Sequence, residues 1–293
     1  MKRAMPFALL FVFTLAVFAQ EMSNTGVVPP PKVMAINREF LKPGRGGSTH
    51  DRSESAFVQA FARAKYPTHY LALDSLSGRS RSLFITGYDS FDAMEKDYFA
   101  MQKNPALGAA LERAAAADGD LLSDYDQSIL IYNEAYSLRA PLVISQMRLF
   151  EISVFRVRSG HRKDWDALVK LVSAAYEKIP DIHWATYELA YGQMDRPTYV
   201  VFSPLRSAAD IDHEFALDKD FAAALGADGM KKLGELEEAA VESSQSNLFA
   251  INPRMSYVPD AWIKADPQFW KPAAPPMPKK PVEKPEEKPP AQQ

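Results

Sequence analysis

The chain has no cysteine among its 293 residues, so it can form neither disulfides nor zinc–thiolate sites, and it has no thiol nucleophile. It also lacks a Gly-x-Ser-x-Gly motif, so serine-hydrolase chemistry has no support. The glycine-rich segment Gly44–Gly47 is followed by neither a lysine–serine pair nor a dinucleotide fingerprint, and it is interpreted as a flexible turn. Excess charge is missing too. The formal net charge of -3 gives no reason to expect nucleic-acid binding.

A long apolar run occurs at the N-terminus, where Lys2 and Arg3 precede the stretch 7–18. Small residues ending at Ala19 fit a cleavage site, so residues 1–19 are predicted to be a signal peptide. The alternative is a retained anchor, but the run is shorter than the roughly 20 apolar residues of a membrane span. The sequence therefore predicts an exported protein, periplasmic or secreted, with no stable membrane span after signal cleavage.

Both ends of the predicted mature chain are rich in proline. Residues 20–31 form a polar lead-in that ends in three prolines, and residues 271–293 consist mainly of proline, lysine and glutamate. Such a composition cannot bury enough apolar surface to offset the loss of chain entropy. We expect residues 258–293 to be an extended segment and a disordered tail, which is either inert or a tether.

The middle of the chain repeats itself, since residues 32–137 resemble residues 149–257 at a displacement of 116 to 118 positions. In each copy an extended run ends at a turn glycine, Gly44 or Gly160, and an amphipathic helix follows. This pattern predicts a tandem repeat of two units, residues 32–140 and 141–257.

Each unit has the predicted order strand, helix, strand, strand, helix, strand, which is that of a ferredoxin-like unit. The second helical region of each unit is predicted as two helices. For the first unit the predicted strands are 33–40, 69–75, 82–87 and 128–135, and the helices are 51–65, 90–101 and 106–117. For the second unit the strands are 150–157, 183–191, 198–202 and 246–251, and the helices are 165–179, 207–217 and 221–242.

Several strands carry apolar residues on both faces, as Val154 and Phe155 do. One face of each sheet packs against its own helices, so the other face must be buried by a partner. The nearest partner is the other unit. The predicted fold class is therefore α+β: two tandem ferredoxin-like units whose antiparallel sheets pack as an intramolecular α/β barrel, a pseudo-dimer within one chain.

The segment Phe155–His161 and the helix opening Trp165–Leu168 resemble the dimeric α/β-barrel superfamily, in particular its NIPSNAP-like and antibiotic-biosynthesis-monooxygenase-like branches. The resemblance covers most of residues 32–257. It implies a cavity between sheet and helices or inside the barrel. Some members of this superfamily bind haem or oxidise aromatic substrates.

His69 and His183 are the candidate catalytic residues, because each lies at the start of the second strand of its unit and precedes an aromatic residue. Imidazole suits proton transfer near neutral pH and metal ligation, so either ring is a candidate base or haem ligand. The alternative is a strand-end histidine bonded to a carbonyl or to water.

Aromatic side chains on the hairpins are candidates for the wall of an apolar ligand pocket. Two arginines near the ends of the first strands are candidates for binding an anionic ligand or a haem propionate, although solvent-facing arginines are the simpler interpretation. The candidate pocket residues are Tyr70, Trp184, Tyr187, Arg38 and Arg156.

Other polar residues are assigned no function by the sequence. His50 and His161 lie near helix starts and are interpreted as neutral surface or capping groups. The acidic residues around Gly119 lack the spacing of a calcium loop and are interpreted as a loop that ends a helix. No metal site is predicted.

Three functions remain open. The first is an exported accessory protein that binds a small apolar or aromatic molecule. The second is a monooxygenase-like enzyme, either cofactor-independent or haem-linked, so that haem is possible but not required. The third is an interaction module tethered by its proline-rich tail.

Overall fold

The computed structural model describes residues 26–193 and 195–271. The predicted signal peptide and residues 272–293 of the predicted tail lie outside the described residues. Within the described part of the chain, no helix combines the length and the apolar character needed to cross a membrane.

The described residues form two halves with the same order of elements, separated by a short connection. The first half contains strands β1 (Val33–Leu41), β2 (Tyr70–Ser75), β3 (Arg81–Tyr88) and β4 (Leu122–Leu138), and helices α1 (Ser48–Ala64), α2 (Phe91–Gln102) and α3 (Pro105–Asp118). The second half contains β5 (Leu149–Val157), β6 (Trp184–Tyr191), β7 (Thr198–Leu205) and β8 (Val241–Ile251), and α4 (Arg162–Tyr176), α5 (Ala208–Ala216) and α6 (Asp218–Ala240). Two short helices follow, α7 (Asp260–Ala265) and α8 (Pro267–Trp270).

The eight strands form one closed antiparallel barrel in the order β1-β3-β2-β8-β5-β7-β6-β4, and β4 pairs with β1 to complete it. The two halves meet where β2 pairs with β8 and where β4 pairs with β6. Closure leaves neither half with an unpaired sheet edge, which would otherwise be open to association with other chains. The predicted α+β barrel within one chain is confirmed.

The barrel interior is an apolar core shared by both halves. Met34 and Ile36 of β1 pack in one cluster with Phe150 and Ile152 of β5, since alternate residues of a strand face the same side. The opposite faces of the strands carry the helices. In the second half Trp165 and Leu168 of α4, with Leu233 and Leu236 of α6, cover the sheet.

The closing strands begin earlier than expected, β4 at Leu122 and β8 at Val241. Most residues between these starts and the predicted ones are polar, so alternation of hydrophobicity does not reveal them. Their backbones nevertheless pair with the neighbouring strand, as Asp124 does with Phe40 and Ser244 with Phe155. The loop interpretation of the acidic residues is therefore wrong, because these residues extend from the end of α3 into β4.

The start of the expected C-terminal extension is folded. We expected an extended segment from residue 258, but α7 and α8 pack on the barrel and bury Trp270. The Trp270 Nε1 donates a hydrogen bond of 3.0 Å to the carbonyl oxygen of Ser145. The Arg148 guanidinium lies 3.9 Å from the centre of the Phe269 ring and also pairs with Asp266. These contacts fix the segment against the barrel.

We expect Trp270→Ala to lower the free energy of unfolding by about 3 to 5 kcal/mol, the usual effect of removing a buried tryptophan. The side chain is only 3% exposed and belongs to the barrel core. Urea unfolding followed by circular dichroism measures the change. Phe215→Ala is the control, because Phe215 is 72% exposed and its loss should change stability by less than about 0.5 kcal/mol. Equal effects of the two substitutions would contradict the packing described for α8.

Candidate functional site

A cavity of about 420 Å³ opens at the end of the barrel where β2 and β6 begin, and we call it the barrel cavity. Its deep wall is built from inward-facing apolar residues of both halves, and Trp262 of α7 closes part of its mouth. Four candidates from the sequence line it: His69, Tyr70, Trp184 and Tyr187. Because its deep wall belongs to barrel strands, that part of the cavity is formed before any ligand arrives.

Polar groups at the rim of the barrel cavity converge on Asp97 of α2. Thr68 and Tyr88 donate hydrogen bonds to the two carboxylate oxygens of Asp97, at 2.5 and 3.0 Å. Burial and the Asp97 charge raise the pKa of Tyr88 above its usual value. Tyr88 therefore stays protonated and remains a hydrogen-bond donor.

His69 lies at the same rim, with its ring stacked on Tyr257 at a centroid distance of 4.8 Å. Burial lowers the pKa of His69 below its usual value of 6.5, and the nearby Asp260 only partly opposes this shift. The imidazole is therefore neutral at pH 7, so one ring nitrogen can donate a hydrogen bond and the other can accept one.

A second cavity, of about 430 Å³, lies between the outer face of the second-half sheet and helices α4 and α6. We call it the sheet–helix cavity. Aromatic rings form much of its wall, including Phe155 and Trp165, whose ring centres are 5.3 Å apart. The Trp165 Nε1 is buried there without a hydrogen-bond partner. An unpaired buried donor is unfavourable, and an acceptor atom on a ligand would satisfy it.

His183 lines the sheet–helix cavity, so the two candidate histidines lie in different cavities. Its Nδ1 is 3.0 Å from the carbonyl oxygen of Arg139. A carbonyl only accepts, so the neutral ring carries its proton on Nδ1 and has a lone pair on Nε2. Glu151 and Glu214 line the same cavity. Burial and then the Glu151 charge raise the pKa of Glu214.

The residues of the sheet–helix cavity do not fit haem. The Nε2 lone pair of His183 could bind a haem iron, but a haem also brings two negatively charged propionates. The described lining residues include the carboxylates of Glu151, Glu214 and Glu237 and no lysine or arginine. These carboxylates would repel the propionates.

Arg38 and Arg156 line neither cavity. Each shares the inner face of its strand with apolar core residues, but near the opposite end of the barrel from the mouth. Arg38 forms an ion pair with Asp126 and donates to Ser128 Oγ at 2.7 Å, while Arg156 is exposed. The structure therefore separates these arginines from the aromatic candidates with which the sequence grouped them.

The interpretation of His50 as a surface group is wrong, since its side chain is only 1% exposed. It lies between α1 and the first-half sheet with Glu39, Glu54 and Asp118, a set that we call the carboxylate cluster. The His50 Nε2 is 3.1 Å from Glu39 Oε2 and 3.6 Å from Asp118 Oδ1.

The sequence did contain a signal for this cluster: His50 and Glu54 are four residues apart, the spacing that puts two side chains on one helical face. The predicted helix begins at residue 51, so His50 is interpreted from the sequence as a surface or capping group near the helix start. In the structure α1 begins at Ser48.

No protein-family model and no curated protein sequence matches the chain. Solved structures do resemble it. An anthrone oxidase-like protein is 12% identical, with a TM-score of 0.49, and the match covers 77% of this chain and 94% of the other. A monooxygenase-like protein from Lactobacillus acidophilus NCFM is 9% identical, with a TM-score of 0.45 and coverages of 75% and 93%. A chlorite dismutase variant from Candidatus Nitrospira defluvii is 9% identical, with a TM-score of 0.46 and coverages of 80% and 97%.

Monooxygenase-like and chlorite dismutase-like proteins of this kind belong to the dimeric α/β-barrel superfamily. Identities this low carry over no site residue and no activity to the present chain. The assignment of its sites therefore rests on the geometry described above.

We expect the pKa of His69, measured by NMR titration, to fall below 6.5, because the folded chain buries the ring against Tyr257. The unfolded chain then takes up the proton at a higher pH than the folded chain. Folding stability from this group is complete above pH 6.5 and is lost as the pH falls towards the folded pKa. In Tyr257→Leu the His69 ring is more exposed, so the pKa of His69 should rise towards its usual value. A His69 pKa at or above 6.5 in the unsubstituted protein would contradict this account.

Proposed function

We propose that the protein binds a small apolar or aromatic molecule in the barrel cavity. The observation that carries the proposal is the cavity of about 420 Å³ whose wall combines apolar strand residues of both halves with a polar rim. Small-molecule sites are commonly concave, of about 300 to 1,000 Å³, and apolar with a few placed polar groups.

The rim can orient a bound ligand, because its hydrogen-bonding groups are held in place in two different ways. Tyr88 and Thr68 are held by Asp97, whereas the neutral His69 ring is held by stacking on Tyr257. A ligand with an apolar body and one hydroxyl or carbonyl group would place that group at the rim and its body among Tyr187 and Phe202. This arrangement favours an uncharged aromatic ligand.

The proposal also covers the repeat architecture of the chain and its location. The repeated order of elements, with strand order β4-β1-β3-β2 in one half and β8-β5-β7-β6 in the other, supports two ferredoxin-like units joined as a pseudo-dimer. The N-terminal sequence supports export to the periplasm or outside the cell. Descent from the NIPSNAP-like branch stays a prediction from the sequence.

A second candidate function is oxidation of an aromatic substrate in the sheet–helix cavity. It is favoured by the unpartnered Trp165 Nε1 and by the carboxyl group of Glu214, which lines the same cavity and whose pKa is raised by burial. Glu214 would take a proton from a ring-activated methylene group, and dioxygen would be the oxidant. The methylene loses two hydrogens and gains one oxygen atom as a carbonyl, while the other oxygen atom leaves as water.

Filling the barrel cavity should weaken binding. Ala185 packs against the barrel core and lines this cavity, so Ala185→Phe should weaken binding of the uncharged fluorescent probe N-phenyl-1-naphthylamine at least tenfold, or about 1.4 kcal/mol. Val172→Phe is the matched control, because Val172 lines only the sheet–helix cavity of the two. Probe fluorescence measures both. Loss of binding in the control alone would move the proposed site to the sheet–helix cavity.

The oxidative candidate is tested with a hydroxylated anthrone as the probe and an oxygen electrode. If Glu214 is the base, Glu214→Gln should lower the rate of oxygen uptake at least tenfold without changing the KM. Asp164→Asn is the control, since Asp164 pairs with His161 on the surface and lines neither cavity. Equal rates for the unsubstituted protein and Glu214→Gln would exclude this role for Glu214.

A further inference from the structure

The carboxylate cluster buries more negative charge than its single histidine can balance. Glu39 comes from β1, His50 and Glu54 from α1, and Asp118 from the end of α3. The side chains of His50, Glu54 and Asp118 are 1 to 3% exposed, and that of Glu39 is 12% exposed. Taking unpaired carboxylates out of water costs several kcal/mol each. The arrangement therefore requires either protons or a cation.

Several oxygen atoms in the cluster have no hydrogen-bond partner. They are Glu54 Oε1 and both carboxylate oxygens of Asp118, all buried. The Tyr70 hydroxyl is likewise buried and unpartnered, and the charges of Glu54 and Glu39 add to the effect of burial in raising its pKa. Buried polar atoms normally have partners, so these atoms indicate a group that the polypeptide does not supply.

The Nδ1 side of the His50 ring faces a chain of hydrogen-bonded side chains. Its Nδ1 is 3.4 Å from Ser82 Oγ, and Ser82 donates a 2.5 Å hydrogen bond to Asp74 Oδ1. Asp74 in turn accepts a hydrogen bond of 2.7 Å from the side-chain amide of Asn252. Because a carboxylate oxygen accepts, His50 Nε2 carries a proton and donates it to Glu39 Oε2. A metal ion would take the place of this proton, and an Nδ1–H directed at Ser82 would then orient the ring as outer partners orient metal-ligating histidines.

The fold itself does not need this cluster. In the second half the positions that correspond to the cluster are apolar: the seventh residue of β5 is Phe155, whereas the seventh residue of β1 is Glu39. Near the start of α4 the buried residue is Trp165, whereas near the start of α1 it is His50. An apolar layer therefore suffices to hold a helix on this sheet.

We propose that Glu39, His50, Glu54 and Asp118 bind one divalent first-row transition-metal ion. The candidate ligand atoms lie within 4.8 Å of one another. Bonds of about 2.1 Å put the ligand atoms of a tetrahedral site about 3.4 Å apart, so side-chain rotations that shorten the longest separations by about 1.4 Å complete the site. Three carboxylates and one imidazole suit zinc, iron or manganese, whereas calcium and magnesium take ligand sets made of oxygen.

The charges agree with this assignment. Three carboxyl groups and one imidazole share this site, and the side chains of Glu54 and Asp118 are almost fully buried. A divalent ion would offset the charge of two carboxylates and satisfy the buried oxygens of Glu54 and Asp118. The proposed metal site is separate from the barrel cavity, so a negative result for either site leaves the proposal for the other unaffected.

The test is metal binding by the whole mature chain after treatment with a chelator. Calorimetric titrations with Zn²⁺ and with Mn²⁺ should each show one ion per chain, and at least one of these ions should raise the melting temperature. Ca²⁺ and Mg²⁺ should bind at least tenfold more weakly. Binding of neither transition ion, or tighter binding of Ca²⁺ or Mg²⁺, would overturn the proposal.

Glu54→Gln is the decisive variant, because glutamine matches the neutral form of Glu54 in shape and the chain should still fold. It should weaken Zn²⁺ or Mn²⁺ binding at least tenfold and abolish the rise in melting temperature. His161→Ala is the matched control: it removes an exposed histidine that pairs with Asp164 at 2.8 Å, and it should leave the binding unchanged. Unchanged binding in Glu54→Gln, or loss in His161→Ala, would show that the metal binds elsewhere.

If Glu54→Gln does not fold, Asp118→Asn provides the same comparison from a different element. Circular dichroism in the absence of metal establishes which variant is folded. X-ray absorption of the loaded protein gives a second readout, with one imidazole and otherwise oxygen ligands expected around the ion. A shell with two or more imidazoles would contradict the assignment, because the cluster contains one histidine.

Discussion

The structure depends on the burial of one apolar face of each half-sheet against the other. A four-stranded sheet with helices on one side leaves its second face exposed, and here that face carries residues such as Ile36 and Phe150. Joining the halves removes this surface from water, and the pairings of β2 with β8 and of β4 with β6 satisfy the edge backbone groups at the same time. The barrel interior, and therefore the cavity at its mouth, belongs to neither half alone.

The shared interior leaves each outer layer free to differ, because each lies between one half-sheet and its own helices. In the first half this layer contains His50 and Glu54 in contact with the sheet. In the second half it contains Trp165 beside a cavity. A symmetric backbone order therefore supports two different chemical environments, which is why matching histidines such as His69 and His183 need not share a role.

The sequence predicted the elements well where side-chain periodicity and turn residues agree. Strand β5 was predicted at residues 150–157 and occupies Leu149–Val157. It predicted the sites less well, because a site depends on which strand face meets which helix. Arg38 was assigned to the aromatic pocket because it lies near a strand end. Strand register and barrel closure decide which end of the barrel that is, and the sequence does not reveal either. His50 was missed because helix α1 begins earlier than its periodicity indicates.

The carboxylate cluster differs from the less buried acids of this chain in the partners that its oxygen atoms have. Asp97 accepts hydrogen bonds from Thr68 and Tyr88, and Asp126 pairs with Arg38. Each of these carboxylates has partners supplied by the polypeptide. Asp118 is more deeply buried than either, and its nearest polar neighbours are His50 Nε2 at 3.6 Å and the carboxyl group of Glu54, which donates only when it is protonated. The less buried acids have donors that are always present, whereas Asp118 has none, and a bound cation would supply that missing partner.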